Sequence, residues 1–382
     1  MALDVYLTNA CNLHCKYCFN MEREDAPRIP LKDICNILET AYQNGHRYVS
    51  ITGGEPFLYK KIFEVIEFAH NLGFWINILT HGGLFNQEKV DKLKKYWRLR
   101  VRISLDGPNS QTHDLLRGTG TFNNTINKIK LLVSNGINVG IGVTISEDNL
   151  SSMDRMFTLC LENKVNFVRF TPVARVKKGK SANITESLHI TLLQKIIELT
   201  LANKDKVELS TNPTKDTTIS INALTTRRCM AGKLFFGVTP DKKILPCPLL
   251  IENKDIGTRI FKNQTSFDAI KLQMDKLFTE IKPQLEGICQ NCEFNSVCYG
   301  GCLAEKLSFD RKLQSEQPIC TKKILEALNH QYAKKDIEQL IASWLTQMRS
   351  SLEDDSVHAC MRHSPFWNVN FKMTNEWKQK YQ

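Results

Sequence analysis

Three cysteines lie within eight residues near the start of the chain, and their spacing points to shared chemistry. Cys11, Cys15 and Cys18 follow the pattern C-x3-C-x2-C. Thiolates are the soft ligands that hold iron–sulfur clusters, and three of them leave one iron of a cubane without a protein ligand. Such an iron can bind and polarise a small molecule. Zinc and a chance run of thiols are the alternatives, although structural zinc sites usually contain C-x2-C pairs and four ligands.

Seven further cysteines form a second group of candidate ligands between residues 229 and 320. Seven ligands cannot fill two zinc sites of four, whereas two iron–sulfur clusters can share seven if one iron stays open. The chain shows no export signal, so metal ligands or catalytic thiols are a better interpretation of its 13 cysteines than disulfides. In chain order the seven are Cys229, Cys247, Cys289, Cys292, Cys298, Cys302 and Cys320.

The other three cysteines stand apart from both groups. Cys35 and Cys160 fall in predicted amphipathic helices, where we expect small buried hydrophobic residues. Cys360 lies among other potential ligands in the segment HACMRH at 358–363, which we interpret as ordinary tail sequence. Each of the three could still supply a missing fourth ligand to a cluster.

Alternating strand and helix patterns predict the scaffold that positions the first group. Apolar or β-branched runs predict strands at 3–7, 48–52, 75–80, 100–105, 138–145 and 167–170. Amphipathic stretches predict helices between them at 31–44, 60–72, 86–96, 122–135 and 150–163. This order indicates an α/β fold with right-handed crossovers, and six repeats suffice for a partial (β/α)6 barrel. The first cysteine loop follows strand one, so it must lie at the C-terminal ends of the strands, where such folds place active sites.

The rest of the chain changes in character after residue 170. We divide the protein into a barrel core at 1–173, a bridging region at 174–225, a cysteine-rich domain at 226–325 and a C-terminal helix and tail at 326–382. Within the bridging region we expect an exposed basic stretch at 174–186, a helix at 187–203 and an irregular segment at 206–222. The pattern at 321–349 predicts a long helix.

Charge and hydropathy narrow the classes of partner. The 382 residues include 51 Lys and Arg against 40 Asp and Glu, a formal net charge of +11. These charges are dispersed rather than arranged in a basic stripe with aromatic residues, so we expect no nucleic-acid partner. No apolar run approaches the roughly 18 residues of a membrane span, and no signal peptide is visible. We therefore expect a cytoplasmic protein without a membrane partner.

The segment CNLHCKYCF at 11–19 resembles the signature of radical S-adenosylmethionine enzymes. In that family the open iron chelates the amino and carboxylate groups of S-adenosylmethionine, and reduction cleaves this cofactor to a 5′-deoxyadenosyl radical. The resemblance implies a [4Fe–4S] cluster on the three cysteines and S-adenosylmethionine as cofactor. It also implies an external electron donor of the flavodoxin or ferredoxin type. Tyr17 stands where the family usually has an aromatic residue, and the resemblance makes it a cofactor-binding residue.

A second segment, GGEP at 53–56, resembles the family motif that receives the amino group of the cofactor. Gly53 and Gly54 would let backbone carbonyls approach the cofactor, and Glu55 could pair with an ammonium group. Pro56 completes the motif. Taken alone, such a segment is ordinary turn sequence, but here it follows a predicted strand downstream of the cysteine loop.

Further matches follow at the ends of later strands. Ser104, in the segment SLDG, resembles the family serine that touches the carboxylate or ribose of the cofactor, with a capped turn as the alternative. Arg117 could pair with the carboxylate or be a solvated side chain. His81 lies in the segment THGG at 80–83, where the family often has Thr-Asn-Gly, and we assign it no role.

The second group of cysteines resembles the seven-cysteine SPASM domain, which adds two auxiliary [4Fe–4S] clusters to radical S-adenosylmethionine enzymes that modify peptides and proteins. The resemblance assigns Cys289, Cys292, Cys298 and Cys320 to a distal cluster and Cys229, Cys247 and Cys302 to a proximal one. Lys242 stands where the family normally has Gly in the turn before the second cysteine. The implied architecture is a partial barrel of the radical S-adenosylmethionine type, a small cysteine-rich SPASM domain and a C-terminal helix.

These resemblances imply an oxidoreductase that matures a ribosomally made precursor peptide by installing an intramolecular carbon–carbon cyclophane or thioether cross-link. The sulfatase-maturing branch carries an Asp base directly after its second auxiliary-cluster cysteine, whereas here Pro248 follows Cys247. Formylglycine formation is therefore a less favoured alternative, beside peptide epimerisation and a zinc-stabilised interaction protein. We expect no separate leader-binding domain before strand one. The basic stretch 174–186 could attract an acidic leader.

Overall fold

The computed structural model describes most of the first 203 residues and shorter stretches of the remainder. The described residues are 1–19, 27–203, 207–210, 217–220, 231–233, 235–251, 259–261, 263, 265–292, 299–309, 311–316, 320, 323 and 327. The predictions for Cys229, Cys298 and Cys360 lie outside these residues, as does nearly all of the predicted helix at 321–349.

Strands and helices alternate in the first part of the chain, as the sequence predicts. The strands are β1 (Ala2–Tyr6), β2 (Tyr48–Thr52), β3 (Trp75–Thr80), β4 (Leu99–Ser104), β5 (Val139–Ile145) and β6 (Phe167–Pro172). The helices are α1 (Leu31–Gln43), α2 (Ile62–Leu72), α3 (Gln87–Leu93), α4 (Ser110–Arg117), α5 (Thr121–Ser134) and α6 (Met153–Glu162). Neighbouring strands from β1 to β6 pair in parallel, and the sheet does not close. The partial barrel is therefore confirmed.

The sheet extends beyond the six barrel strands at both edges. The later elements are α7 (Glu186–Ala202), β7 (Val207–Ser210), β8 (Thr217–Ser220), β9 (Phe235–Val238), β10 (Lys243–Leu245), β11 (Arg259–Ile260), α8 (Thr265–Ile281) and α9 (Leu303–Ser308). The described strands form one sheet of order β11-β10-β9-β1-β2-β3-β4-β5-β6-β8-β7. Because β9 pairs in parallel with β1, main-chain hydrogen bonds join the cysteine-rich part of the chain to the barrel.

One prediction about secondary structure is wrong, and one helix of the barrel core was not predicted. The segment at 206–222 is not wholly irregular, because β7 and β8 lie within it and β8 pairs with β6. Its threonines and Ile219 are β-branched residues that favour the extended backbone of a strand. The sequence patterns also missed α4, although Asn109 caps it by accepting the Thr112 N–H at 2.9 Å.

Alternate residues of the barrel strands face opposite sides of the sheet. One side is apolar and packs beneath the helices, with Leu3, Ile51, Ile76, Val101 and Val168 at most 1% exposed. The other side is the concave face of the barrel, and it carries many of the polar residues of the strands. The helices thus bury one face of the sheet and leave the other facing the interior of the unclosed barrel.

The basic stretch at 174–186 is not uniformly exposed, contrary to expectation. Residues Lys177–Ser181 form a 3-10 helix. The Arg175 guanidinium lies 3.0 Å from the carboxylate of Glu305 on α9, and both side chains are less than 15% exposed. An ion pair to the cysteine-rich part therefore withdraws one of the four basic side chains from solvent.

In the described part of the chain, no helix has both the length and the apolar character needed to cross a bilayer.

Candidate active site

The first cysteine loop lies over the C-terminal ends of β1 and β2. Two carbonyls of the loop accept hydrogen bonds from the end of β2. The Thr8 carbonyl accepts the Gly54 N–H at 2.7 Å, and the Ala10 carbonyl accepts the Glu55 N–H at 2.8 Å. At its far end the Lys16 N–H donates to the Leu116 carbonyl of α4 at 2.8 Å. The thiols of Cys11, Cys15 and Cys18 are all only partly buried. The fold therefore presents three thiols in one anchored loop, at the strand ends where the sequence places them.

Gly53 and Gly54 have a structural reason to be glycine. Gly53 has a φ of +147°, and a Cβ there would lie 2.3 Å from the Thr8 carbonyl oxygen. A Cβ on Gly54 would lie 2.1 Å from the Ala10 carbonyl oxygen. Any side chain would push the cysteine loop away from β2. Pro56 follows as the buried first residue of the 3-10 helix Pro56–Leu58.

Glu55 is fully buried and joins the ends of β2 and β3. Its carboxylate accepts hydrogen bonds from the Thr80 hydroxyl at 2.8 and 2.9 Å, and from the Phe57 and His81 N–H groups at 3.1 Å each. These contacts hold the ends of β2 and β3 together. The prediction that Glu55 pairs with an ammonium group of the cofactor stays a prediction.

His81 connects this carboxylate to the cysteine loop, although sequence reasoning gave it no role. Its Nε2 lies 2.9 Å from the Asn12 side-chain oxygen and 3.2 Å from Glu55 Oε2. Because the Gly83 N–H donates to Nδ1, the ring proton belongs on Nε2 and points toward Asn12 and Glu55. Burial lowers the pKa of His81, and the neighbouring Glu55 carboxylate opposes that shift. The only signal in the sequence was a polar residue directly after β3.

Arg117 lies beside the middle thiol and is held there by Asp106. Its Nε donates to Asp106 Oδ2 at 2.5 Å, and its Nη1 lies 3.8 Å from Cys15 Sγ. The other oxygen of Asp106 accepts the Thr144 N–H of β5 at 2.7 Å. Burial disfavours the charge of Arg117, but Asp106 and the Cys15 thiolate outweigh it and raise its pKa. The contact of Arg117 with the carboxylate of the cofactor stays a prediction.

Asp148 fixes the third part of the cysteine loop, and the sequence gave no signal for it. Its carboxylate accepts a hydrogen bond from the Tyr17 hydroxyl and pairs with Lys16 Nζ at 2.9 Å. Ser146 Oγ donates to the same carboxylate at 3.1 Å. Burial acts to raise the pKa of Asp148, but the hydrogen bonds from Tyr17, Lys16 and Ser146 produce a net lowering. The loop after β5 thus positions Tyr17, the predicted cofactor-binding aromatic residue.

Asn149 anchors the loop that carries Asp148. Its side-chain amide donates to the carbonyls of Asp106 and Thr144 at 2.8 Å each, and its oxygen accepts the Ser146 N–H at 2.9 Å. Ser104, another predicted cofactor residue, ends β4 across from Gly142 of β5. The predicted residues of the first site are therefore gathered at one edge of the sheet.

The second group of cysteines is placed by short local structures. Cys247 precedes the 3-10 helix Pro248–Leu250, Cys289 ends the 3-10 helix Gly287–Cys289, and Cys302 directly precedes α9. Burial raises the pKa of Cys289, and the nearby thiols of Cys320 and Cys292 add to this. Three of the four residues predicted for a distal cluster are thus neighbours.

Lys306 on α9 is a buried lysine next to these thiols. It is 2% exposed, and its Nζ donates to the carbonyls of Leu313 at 2.8 Å and Tyr299 at 3.3 Å. Its positive charge acts to lower the pKa of Cys289, against the larger effect of burial. A buried ammonium here both ties two turns together and favours a thiolate.

The isolated cysteines differ from each other. Cys160 on α6 is 2% exposed, so its prediction as a small buried residue is confirmed. The same prediction for Cys35 is wrong, because Cys35 lies at the flank of α1 and is only partly buried. Across the described ranges, no three Cys, His, Asp or Glu side chains converge on a single metal ion.

Comparison with known proteins identifies the domain that carries the first site. Residues 5–160 match the family model described as the radical SAM superfamily. The chain contains a radical SAM domain. This domain implies one [4Fe–4S] cluster and S-adenosylmethionine, and it makes the protein an enzyme. The residues of the site fit the cluster and S-adenosylmethionine. Three partly exposed thiols lie in one loop, and Gly53 and Gly54 have no side chains that would block the adjacent strand end.

The similarity to curated proteins extends beyond this domain. The chain is 27% identical over 332 residues to the mycofactocin maturase MftC of Mycolicibacterium smegmatis, covering 82% of this chain and 81% of that protein. It is 26% identical over 344 residues to an AdoMet-dependent heme synthase of Nitratidesulfovibrio vulgaris, covering 83% of this chain and 91% of that protein.

Solved structures share the fold. The structure of Streptococcus suis SuiB bound to S-adenosylmethionine has a TM-score of 0.69 at 20% identity, covering 84% of this chain and 76% of SuiB. A second structure, of SuiB bound to its precursor peptide SuiA, has a TM-score of 0.67 at 19% identity, covering 85% and 75%. At this level of identity the likeness shows a common fold.

Proposed function

We propose that this enzyme matures a ribosomally made precursor peptide by installing an intramolecular cross-link, either a carbon–carbon cyclophane or a thioether. The observation that carries the proposal is the position of the cysteine loop at the mouth of an unclosed barrel with a polar concave face. Such a barrel can admit a chain segment to the radical-generating site from its open side. The similarity to a peptide maturase over 82% of the chain supports the same conclusion.

The similarity to a heme synthase is nearly as strong, so overall identity does not choose between a peptide and a small molecule. The spacing of the second group of cysteines favours the peptide, because it follows the seven-cysteine pattern that resembles a SPASM domain. The neighbourhood of Cys289, Cys292 and Cys320 supports a distal auxiliary cluster there. Cys247 and Cys302 would contribute to a proximal cluster.

When bound, the cluster and S-adenosylmethionine would supply a 5′-deoxyadenosyl radical for hydrogen-atom abstraction from the peptide, with one electron taken from an external donor and methionine released. The protein contributes Cys11, Cys15 and Cys18 as ligands, and the Asp106–Arg117 pair keeps a positive charge beside Cys15. Overall, the peptide loses two hydrogen atoms and gains one bond. One hydrogen atom leaves in 5′-deoxyadenosine, and the other leaves as a proton and an electron that an auxiliary cluster accepts.

Formylglycine formation has less support. The base that the sulfatase-maturing branch carries directly after its second auxiliary-cluster cysteine is replaced by Pro248, which has no proton acceptor in its side chain. In the structure Pro248 is buried and begins a 3-10 helix, so it packs as an apolar residue. After hydrogen-atom abstraction, a cross-link requires loss of one further electron and one proton from the peptide, and the proposed auxiliary clusters would take the electron.

Two experiments test this proposal. Anaerobically purified protein should contain about twelve iron atoms if three cubanes are present and about four if only the first is. Co-expression with the short open reading frames encoded beside the gene, followed by mass spectrometry, should then reveal a peptide that is lighter by two hydrogen atoms per cross-link. An unchanged mass with altered chirality would indicate epimerisation, and a cysteine converted to formylglycine would indicate the sulfatase-maturing reaction. Conversion of a porphyrin precursor with no change in any peptide would overturn the proposal.

A further inference from the structure

The concave face of the barrel holds more positive than negative charge. Along β1 to β6, the positions facing this side include Arg100 and Arg102 on β4, Arg169 on β6 and a single carboxylate, Asp4 on β1. The strand residues directly before and after Asp4, Arg102 and Arg169 belong to the buried apolar side. The excess of arginine is thus directed into the barrel, where a substrate would lie.

Arg102 and Arg169 both lie near Gly142 of β5 on the concave face. Gly142 of β5 lies across from Ser104 on one side and from Arg169 on the other. The Arg102 side chain passes close to Gly142, because its Cδ and Nε would lie 3.5 Å from a Cβ at that position, an ordinary contact distance. The two arginines therefore lie close to Gly142, on the concave face near the end of β4 that carries Ser104.

The three arginines differ in their partners. Arg100 is 6% exposed, donates to the Asn77 side-chain oxygen at 3.2 Å and lies over the Phe167 ring at 4.6 Å. Its contacts are those of a structural residue. Arg102 is only partly buried, and in the described part of the molecule it forms no ion pair. It is available to an incoming anion.

Asp4 does not neutralise this face. Its carboxylate is hydrogen-bonded to Ser50, and it lies near Arg102 and Arg169 without an ion pair to Arg102 in the described part of the chain. Burial raises the pKa of Asp4 to about 6, although both arginines act to lower it. Burial also lowers the pKa of Arg102, and Asp4 only partly opposes this. Asp4 thus faces two guanidinium groups, those of Arg102 and Arg169, in a poorly solvated interior, and a second anion would be stabilised there.

We infer that Arg102, with Arg169 beside it, binds a carboxylate of the peptide substrate and so places the reacting residue near the end of β4. This inference rests on the proposed function. An unmodified ribosomal peptide carries negative charge only as carboxylates, on Asp or Glu side chains or at its C-terminus. A guanidinium is suited to them because its planar N–H groups match the two carboxylate oxygens.

The test uses holoenzyme and the neighbouring-gene peptide that the wild-type enzyme modifies. Arg102→Gln should raise both KM and the Kd of fluorescently labelled peptide by about 10- to 100-fold, the loss expected for a charged hydrogen bond. Arg102→Lys, which keeps the charge, should lose less. Arg155→Gln, which removes an exposed arginine on α6, is the matched control and should behave as wild type. Peptide-independent cleavage of S-adenosylmethionine should be the same in all four proteins.

Changes in the peptide locate the carboxylate. Replacing each Asp or Glu by its amide tests the side chains, and C-terminal amidation tests the terminus. One of these changes should weaken binding to wild type and have no further effect on Arg102→Gln. If that variant does not fold, the peptide series on wild-type enzyme still decides, because an unaltered KM for every change overturns the inference. An unaltered KM and Kd in a folded Arg102→Gln would also overturn it while leaving the proposed function intact. If the wild-type enzyme modifies no peptide, the inference about Arg102 and the proposed function are both overturned.

Discussion

The two groups of cysteines are held in different ways. The first loop is held by side chains that follow β3 and β5 and by one at the end of α4. His81 contacts Asn12, Asp148 binds Tyr17 and Lys16, and Arg117 contacts Cys15. In the second region, the described thiols lie on short turns spread from Cys247 to Cys320. The folded chain alone can organise the first site, whereas the second would depend on its clusters, since metal binding and folding are coupled when ligands come from separate segments.

The sharpest test of the first site removes its middle ligand. Cys15→Ala should abolish formation of 5′-deoxyadenosine from S-adenosylmethionine, because two thiolates cannot replace the three that hold the cluster. Chromatography of the products under reducing anaerobic conditions measures this. The barrel should stay folded, with circular dichroism close to that of wild type.

Cys35→Ala is the matched control, since this thiol lies on α1 outside both groups. It should keep the full iron content and activity. A Cys15→Ala protein that still makes 5′-deoxyadenosine at the wild-type rate would contradict the assignment of the first loop.

Much of this first site could be predicted from the sequence, because its residues follow strand ends at fixed places along the chain. Gly53 directly follows β2, Ser104 ends β4, and Cys11 lies in the loop that follows β1. The apolar patterns of these strands are clear, and parallel strands bring such ends together. Asp148 could not be predicted in the same way. Its partners are Lys16 and Tyr17, more than 130 positions away, and no local pattern shows which carboxylate will meet them.

The second region was predictable from cysteine spacing and little else. No helix was predicted there, although α8 has 17 residues. In the bridging region before it, β7 and β8 were missed because a segment rich in Thr and Asn resembles a loop when its pairing with β6 is unknown. The burial of Lys306 also has no signal in the sequence, since lysine is usually exposed and only the turns around it explain its position.

The next largest effect concerns the ion pair beside Cys15. Asp106→Asn can still accept the Thr144 N–H but leaves the buried Arg117 charge unpaired. We expect a loss of about 3–5 kcal/mol in the free energy of unfolding, measured by denaturant titration. Asp91→Asn, which breaks an exposed pair with Lys94, is the control and should unfold at the wild-type midpoint. Equal midpoints for the two variants would show that the network around the first loop does not stabilise it.

Lys306 provides the corresponding test in the second region. Lys306→Met removes the ammonium that binds two carbonyls and lies near Cys289, and we expect a loss of about 1–3 kcal/mol in local stability. If the second region depends on its clusters, the variant should also lose iron during gel filtration while keeping the iron of the first site. Lys276→Met, on the exposed surface of α8, is the control. Loss of both kinds of iron together would contradict the separation of the two regions.

The contact between the barrel core and the cysteine-rich domain should lose stability at low pH. His46 is fully buried between Phe236 on β9 and Phe267 on α8, and burial lowers its pKa from 6.5 to about 3. The unfolded chain therefore takes up a proton that the folded chain excludes, and stability is lost as the pH falls below about 6.5. The slope should reach about 1.4 kcal/mol per pH unit from this residue.

His46→Leu should flatten that slope without abolishing it, because burial also lowers the pKa of His113, to about 4. Unfolding titrations at several pH values measure the difference between the two proteins. Identical slopes would mean that protonation of His46 does not cause the loss of stability at low pH.

The smallest effect is expected at the residue that the sequence did not reveal. Asp148→Asn keeps the size of the side chain but weakens its bonds to Tyr17 and Lys16, so the loop should lose orientation without losing its three thiols. We expect affinity for S-adenosylmethionine to fall about tenfold, as for other residues that orient a metal ligand or its neighbours. The electron paramagnetic resonance signal of the reduced cluster should shift less on adding the cofactor than in wild type. Asp154→Asn, an exposed aspartate paired with Lys195 on the next helix, should change neither quantity. If Asp148→Asn binds the cofactor as wild type does, the first loop is held by its hydrogen bonds to the strands and to α4, and the side chains around it are secondary.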